Sequence, residues 1–136
     1  MSFPERIFTS ADDVEDAFYA SFNSCDLSAM KEIWSESNAV CIHPGSSLII
    51  GYAAIIRSWE FIFSDASLPD IQVNMIRQNV NDSLAIHVVE EKIATGNNNP
   101  VVIVATNVYQ KINAGWLMIE HHGTADQMSH DRPTLQ

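Results

Sequence analysis

The chain is expected to be an α+β domain: a curved antiparallel sheet of about six strands, with three helices from its N-terminal half packed on one face. Three observations lead there. Apolar residues recur at helical spacing as far as Phe63, then change to strand-length runs after Pro69. The four late runs are separated only by short turn segments, which force antiparallel hairpins. Helices gathered early and strands gathered late are the α+β order.

Each element has a local reason. Ser10 opens the first helix with Asp13 as a capping-box partner, and Val14, Ala17, Phe18 and Phe22 form its apolar stripe. Asn23-Ser24-Cys25-Asp26 ends it. Asp26 caps a shorter helix that carries Leu27, Met30, Ile33 and Trp34. Ala39 to Ile42 reads as a short strand and His43-Pro44-Gly45-Ser46-Ser47 as a turn, where proline stops the ladder. Leu48-Ile49-Ile50 is a second short strand ended by Gly51. Ile55, Ile56, Trp59, Ile62 and Phe63 make a third helical stripe. Ile71 to Val80, Leu84 to Ala94, Val101 to Ile112 and Trp116 to Thr124 are the long strands. Asn81-Asp82-Ser83, Gly96 to Pro100 and Asn113-Ala114-Gly115 supply the turns between them. The whole chain, 1–136, reads as one domain with its core at about 10–125 and a loose polar tail over 126–136.

Composition removes several function classes. The 136 residues are 46% hydrophobic, enough for a core of their own. A formal charge of −10 with only 7 basic residues argues against nucleic acid, whose phosphates need lysine and arginine to displace counterions. No apolar run approaches the ~20 residues of a membrane span. The opening residues lack the basic-then-apolar order of a signal peptide, so a cytoplasmic location is expected. Cys25 and Cys41 show neither CxxC nor zinc-finger spacing and read as reduced, buried thiols. Asp12, Asp13, Glu15 and Asp16 read as a solvated first helical turn.

Two segments point to a pocket. Cys41-Ile42-His43-Pro44-Gly45 and Gly115-Trp116 through Glu120-His121-His122-Gly123-Thr124 each place histidine at the end of an apolar run. Histidine titrates near neutral pH, so two such placements make a small-molecule pocket the first functional hypothesis.

The order of four marks resembles the nuclear transport factor 2-like superfamily, and within it the SnoaL-like and ketosteroid isomerase-like domains. The marks are the helix ending in Asn23-Ser24-Cys25-Asp26-Leu27, then His43-Pro44-Gly45 with Gly51-Tyr52-Ala53-Ala54-Ile55, then Ala105-Thr106-Asn107-Val108-Tyr109, and Gly115-Trp116 through Thr124. The resemblance implies a cone-shaped α+β barrel open at one end around an apolar pocket, and a homodimer formed through the sheet. Similarity to the kinase association domains of that superfamily implies that the set containing His121 faces inward, with Leu117 and Ile119. It likewise places Ala105, Asn107 and Tyr109, and Ile86, Val88 and Glu90, inward on the neighbouring strands.

The implied polar lining is His43, Glu90, Asn107, Tyr109 and His121, with Phe18 and Trp59 as apolar walls. Each residue has a second reading: His43 as a turn cap, Glu90 as a surface partner of Lys92, Asn107 as the answer to a sheet irregularity, His121 as a hydrogen-bonded core histidine. His87 and His130 read as exposed, and His122 with Trp116 and Met118 as support for helix packing or a dimer face. The isomerases use an aspartate before proline where this chain has His43 before Pro44. Their oxyanion tyrosine and acid match Phe18 and Asn107, and Tyr19 lies about 100° round the helix from Phe18. Steroid isomerisation therefore fails on its own motif, while a base and a donor remain. One expectation is cofactor-free acid–base chemistry on a small cyclic carbonyl compound, with His43, Asn107 and His121 catalytic and Phe18, Trp59, Glu90 and Tyr109 binding substrate. A non-catalytic binding module or dimeric scaffold is the alternative. A metal held by His43, His121 and Glu90 is the least favoured, since no HxH or HxxxH spacing supports it.

Overall fold

The computed structural model describes residues 6–65, 69–94 and 99–126. Helix α1, Ala11–Ser24, starts where the Ser10 side chain accepts the Asp13 backbone N–H at 3.1 Å. It ends at Cys25, whose left-handed backbone (φ 52°) returns its N–H to Phe22 and Ser21. Asp26 caps α2, Leu27–Lys31, through the Ala29 N–H. That helix stops before Ile33 and Trp34, which instead run beside the last strand: Met118 donates to the Ile33 carbonyl and Ser35 to the Met118 carbonyl. Strands β1, Val40–Ile42, and β2, Ile49–Ile50, flank the Pro44 turn, and α3 spans Tyr52–Phe63. The long strands are β3, Ile71–Val80; β4, Leu84–Ile93; β5, Val101–Ile112; and β6, Gly115–Ala125. The polar tail expected over 126–136 and the exposed reading of His130 lie almost wholly outside the described residues.

The six strands form one curved, open sheet in the order β2-β1-β6-β5-β4-β3. It is mixed rather than wholly antiparallel, because β1 runs parallel to β6, with Cys41 opposite His121. The two are joined through most of the chain, so no short hairpin constrains their direction. Three helices cover one face, in keeping with the expected α+β class. Gly123 shows why that face closes near β1: a Cβ there would stand 3.1 Å from Pro44 Cγ and 3.3 Å from Ile103 Cγ2. With glycine here the proline turn settles onto β6 without having to give way to a side chain.

Two irregularities decide which side chains face inward. On β6 the register slips between Val108 and Tyr109, so that Glu120 faces Val108 and Met118 faces Tyr109, with Ile119 unpaired. This bulge lets both His121 and Trp116 with Met118 enter the core, although their spacing differs in parity. Trp116 and Met118 therefore pack inside, while Leu117 and Ile119 are only half-buried. On β4 the inward set is Ala85, His87, Val89 and Glu91, the opposite of the expected Ile86, Val88 and Glu90. Both alternating sets of this strand are rich in apolar residues, so composition does not separate its faces.

Helix α1 lies in the hollow of the sheet and is buried round much of its circumference. Two adjacent rows point inward, Val14 with Phe18, and Ala11 with Glu15 and Tyr19. The expected solvated acidic turn thus loses Glu15 to the interior, while Asp12, Asp13 and Asp16 stay exposed. Asn23 fastens the far end of α1 to β3 through paired bonds with the Ile71 backbone, at 2.8 and 3.1 Å. Among the described residues no helix is long and apolar enough to cross a membrane.

Candidate functional site

The register aligns a polar row across the inner face of the sheet. His87 on β4 stands opposite Asn107 on β5, Asn107 opposite His121 on β6, and His121 opposite Cys41 on β1. Paired residues project to the same side, so their functional groups meet. Helix α1 lowers Glu15 and Tyr19 onto this row, and α3 supplies Trp59 and Ser58.

Behind the row lies a buried hydrogen-bond cluster, in which His87 Nε2 is left without a hydrogen-bond partner among the described residues. Glu15 Oε2 accepts from Tyr109 Oη at 2.7 Å and Asn107 Nδ2 at 3.3 Å, and lies 3.0 Å from His87 Nδ1. Asn107 Nδ2 also donates to Tyr19 Oη at 2.9 Å, and Tyr19 donates to Glu91 Oε2 at 2.5 Å. Burial holds the Tyr19 and Tyr109 hydroxyls well above their ordinary value, with the adjacent glutamates reinforcing the shift. Both phenols therefore remain protonated donors.

In front of the row is a cavity of about 130 Å³. Phe18, Phe22, Trp59, Ile62, Ile71 and Ile93 form its apolar walls, and His43, His121, Tyr19 and Glu91 form its polar surface. Trp59 packs edge-on against His43, with centroids 4.7 Å apart, and Phe18 lies 4.9 Å from His121. The two imidazoles are 6.4 Å apart.

The tautomers of both histidines follow from their partners. The Ser58 hydroxyl donates to the Ile55 carbonyl at 2.6 Å, so it accepts from His43 Nε2–H at 2.8 Å. The Asn107 amide nitrogen donates to Tyr19 and Glu15, so its Oδ1 accepts from His121 Nδ1–H at 2.6 Å. His43 is left with its lone pair on Nδ1 and His121 with its own on Nε2. Burial lowers the pKa of both. His121 falls to about 3, with His43 and His122 adding to the effect of burial. Two neutral imidazoles therefore face one cavity at neutral pH.

Glu91 complements them. Burial raises its carboxyl from 4.5 to about 7, against the Tyr19 hydrogen bond that favours the ionised form. It can therefore hold or release a proton near neutrality. Cys41 lies 3.8–3.9 Å from both His43 ring nitrogens, and burial pushes its thiol up to about 12, so it remains protonated.

Phe18, Trp59, His43 and His121 thus meet in one cavity. Tyr109 and Asn107 are buried one layer behind it. Glu90 points to the opposite face, so the set His43, His121 and Glu90 does not converge. Among the described residues no group of three or more His, Cys, Asp or Glu is placed to hold a metal ion. The residues not anticipated are Glu15, Tyr19, His87 and Glu91. His87 is fully buried, contrary to its exposed reading. Tyr19, about 100° round the helix from Phe18, reaches the cavity because α1 is buried on more than one stripe. A second 11/15/19 row beside 14/18/22 is the sequence signal for it.

A curved sheet holding helices and a partly polar hollow defines a SnoaL-like domain, and the chain belongs to that family, whose family model matches residues 12–125. F-box protein SKIP8 of Arabidopsis thaliana is 30% identical over 112 residues, which are 82% of this chain and 47% of that protein. The chain thus spans about half the length of that curated relative. A solved structure from Thiobacillus denitrificans, provisionally named a calcium/calmodulin-dependent protein kinase type II association domain, is 32% identical with a TM-score of 0.84. The match covers 90% of this chain and all of that one. A nuclear transport factor 2-like protein from Streptomyces avermitilis, provisionally named a dehydratase, shares the fold at 21% identity. Its TM-score is 0.69, over 84% of this chain and 92% of its own.

Proposed function

We propose that the chain binds a small, largely apolar carbonyl-type molecule in the hollow of the sheet and moves a proton on it without a cofactor. The observation that carries this reading is the pair of neutral histidines, each with its tautomer fixed by a side-chain partner, Ser58 or Asn107, and both lining a cavity shared with Glu91. The volume limits the ligand. An apolar cavity of about 150 Å³ admits benzene, so about 130 Å³ suits a single ring.

In this mechanism His43 Nδ1 takes a proton from carbon next to the carbonyl, and the protonated Glu91 carboxyl donates to the developing enolate oxygen. Tyr19 holds Glu91. Asn107 is a positioning residue that keeps His121 Nε2 unprotonated as a second acceptor. The test is deuterium uptake next to the carbonyl of single-ring ketones in heavy water, followed by NMR. His43→Ala should slow exchange about 10²-fold; an unchanged rate would remove His43 as the base.

A second reading has its own observation. The outer face of β4 and β5 carries half-buried Ile86, Val88, Val102, Val104 and Val108, an apolar patch suited to a second copy of the chain. A homodimer through this face would make the domain an assembly module as well as a binding one. Sedimentation should show a dimer that Val104→Lys dissociates; a wild-type monomer would end this reading. Two free cysteines are consistent with the cytoplasmic location we favour.

A further inference from the structure

The hydrogen-bond inventory of the cavity is one-sided. Ser58 gives its proton to Ile55, Tyr19 to Glu91, and the two histidines give theirs to Ser58 and Asn107. The Trp59 indole N–H has no partner, and its nitrogen has no exposed surface to offer a ligand. No lysine or arginine lines the space. What remains are the lone pairs on His121 Nε2 and on His43 Nδ1, the latter met only by the weak Cys41 thiol donor at 3.9 Å, together with the Glu91 carboxyl. Around them stand the rings of Phe18, Phe22 and Trp59, whose negative π faces attract a cation when one lies over them.

Such a lining satisfies a ligand that donates hydrogen bonds and carries positive charge. With Glu91 ionised, as at pH 8, it offers nothing to a carboxylate or a phosphate, which would be desolvated without a donor. The chain's formal charge of −10 further favours approach of a cation. We infer that the ring accepted by this cavity carries a basic nitrogen, so that the ligand class is a small cyclic amine or imine bound as its cation. This rests on the reading of the hollow as a ligand site and puts nitrogen where that reading has a carbonyl oxygen. Nitrogen in place of the carbonyl oxygen also removes the need for an oxyanion hole. A protonated imine that loses a carbon-bound proton to His43 becomes a neutral enamine, and its N–H can face Glu91.

The test compares four five-membered-ring probes on the full chain at pH 8: pyrrolidine, cyclopentanone, cyclopentane and cyclopentanecarboxylate. Binding is read from shifts of the His121 and Trp59 ring protons, which separates the cavity from the acidic surface. Pyrrolidine should bind at least about tenfold more tightly than cyclopentanone, as one charge-assisted hydrogen bond and aromatic faces warrant. The carboxylate should bind most weakly. Glu91→Gln should reduce the amine's advantage over the ketone to about threefold or less. If the ketone, the hydrocarbon or the carboxylate matches or exceeds the amine, the inference falls while the ligand site stands. An amine advantage unchanged in Glu91→Gln overturns it as well. Binding of none of the four ends both readings, and the wild-type ranking decides even if the variant does not fold.

Discussion

The two halves of the hollow use the same kinds of side chain to opposite ends. Behind the row of His87, Asn107 and His121, the donors of Tyr109, Asn107 and His87 converge on one oxygen of Glu15. In front of it, His43 and His121 each donate one proton inward and keep a lone pair, and Glu91 lies where burial holds its titration near neutrality. A polar group whose bonding is closed within the protein contributes structure. One with unused capacity at a cavity is available for a ligand. Glu15 thus belongs to the fold, and His43 is the residue we propose for function, although both are polar side chains of the same hollow. Any variant that shows the reverse would break this division.

The largest effect should come from Glu15→Ala. Removing this acceptor strands the Tyr109 hydroxyl and the His87 N–H in the interior at about 1–3 kcal/mol each, and leaves a cavity besides. A loss of about 3–5 kcal/mol is expected, read as a lower urea midpoint with unchanged slope. A shift under about 1 kcal/mol would mean that the bonds to Glu15 do not hold the cluster together.

Next comes pH. The Glu91 pKa is raised on folding from 4.5 to about 7, so the native state holds more protons than the unfolded chain in that window. Its contribution is therefore fully present below pH 4.5 and lost as pH rises to 7, amounting to about 3 kcal/mol. His121 works the other way. Its pKa is lowered from 6.5 to about 3, so its contribution is present above 6.5 and lost as pH falls towards 3. Glu91 is faced by Tyr19 and Glu15 from α1, and His121 shares its cavity. Glu91→Gln should remove only the first of these dependences, so that the variant gains on wild type between pH 4.5 and 7.5. Parallel melting curves across that range would contradict the assignment.

His43→Ala should divide the two halves most cleanly. Exchange activity should fall about 10²-fold, while stability changes by about 1 kcal/mol, since Ser58 retains its bond to Ile55. A large loss of stability would place His43 with the structural half.

Much of the fold could be read from residues with one physical meaning. Ser10 and Asp26 are caps in the structure, Pro44 ends β1, and the Asn81 and Asn113 turns bound the long strands. The inward placement of Asn107, Tyr109 and His121 was also legible, from the family resemblance. The parallel pairing of β1 with β6 was not, because it depends on contacts distant in the chain. Nor was the Ile119 bulge, which no turn residue announces. Glu15 was hidden by its acidic neighbours, since only the depth of the hollow separates it from Asp12 and Asp16.

Glu90 and Glu91 are adjacent on β4 and face opposite sides of the sheet, contrary to the expected inward Glu90. Leu84 to Ile93 alternates between two sets that are both largely apolar, and each carries one glutamate near its end. A one-residue difference in parity therefore moves the carboxyl from the outer face to the cavity. Glu90→Gln should leave ring binding and exchange unaltered and change stability by under about 0.5 kcal/mol, while Glu91→Gln changes both binding preference and pH dependence. The pair differs only in which side of one strand carries the same chemical change. A binding loss in Glu90→Gln equal to that in Glu91→Gln would show that net charge, rather than the geometry of the cavity, governs the ligand.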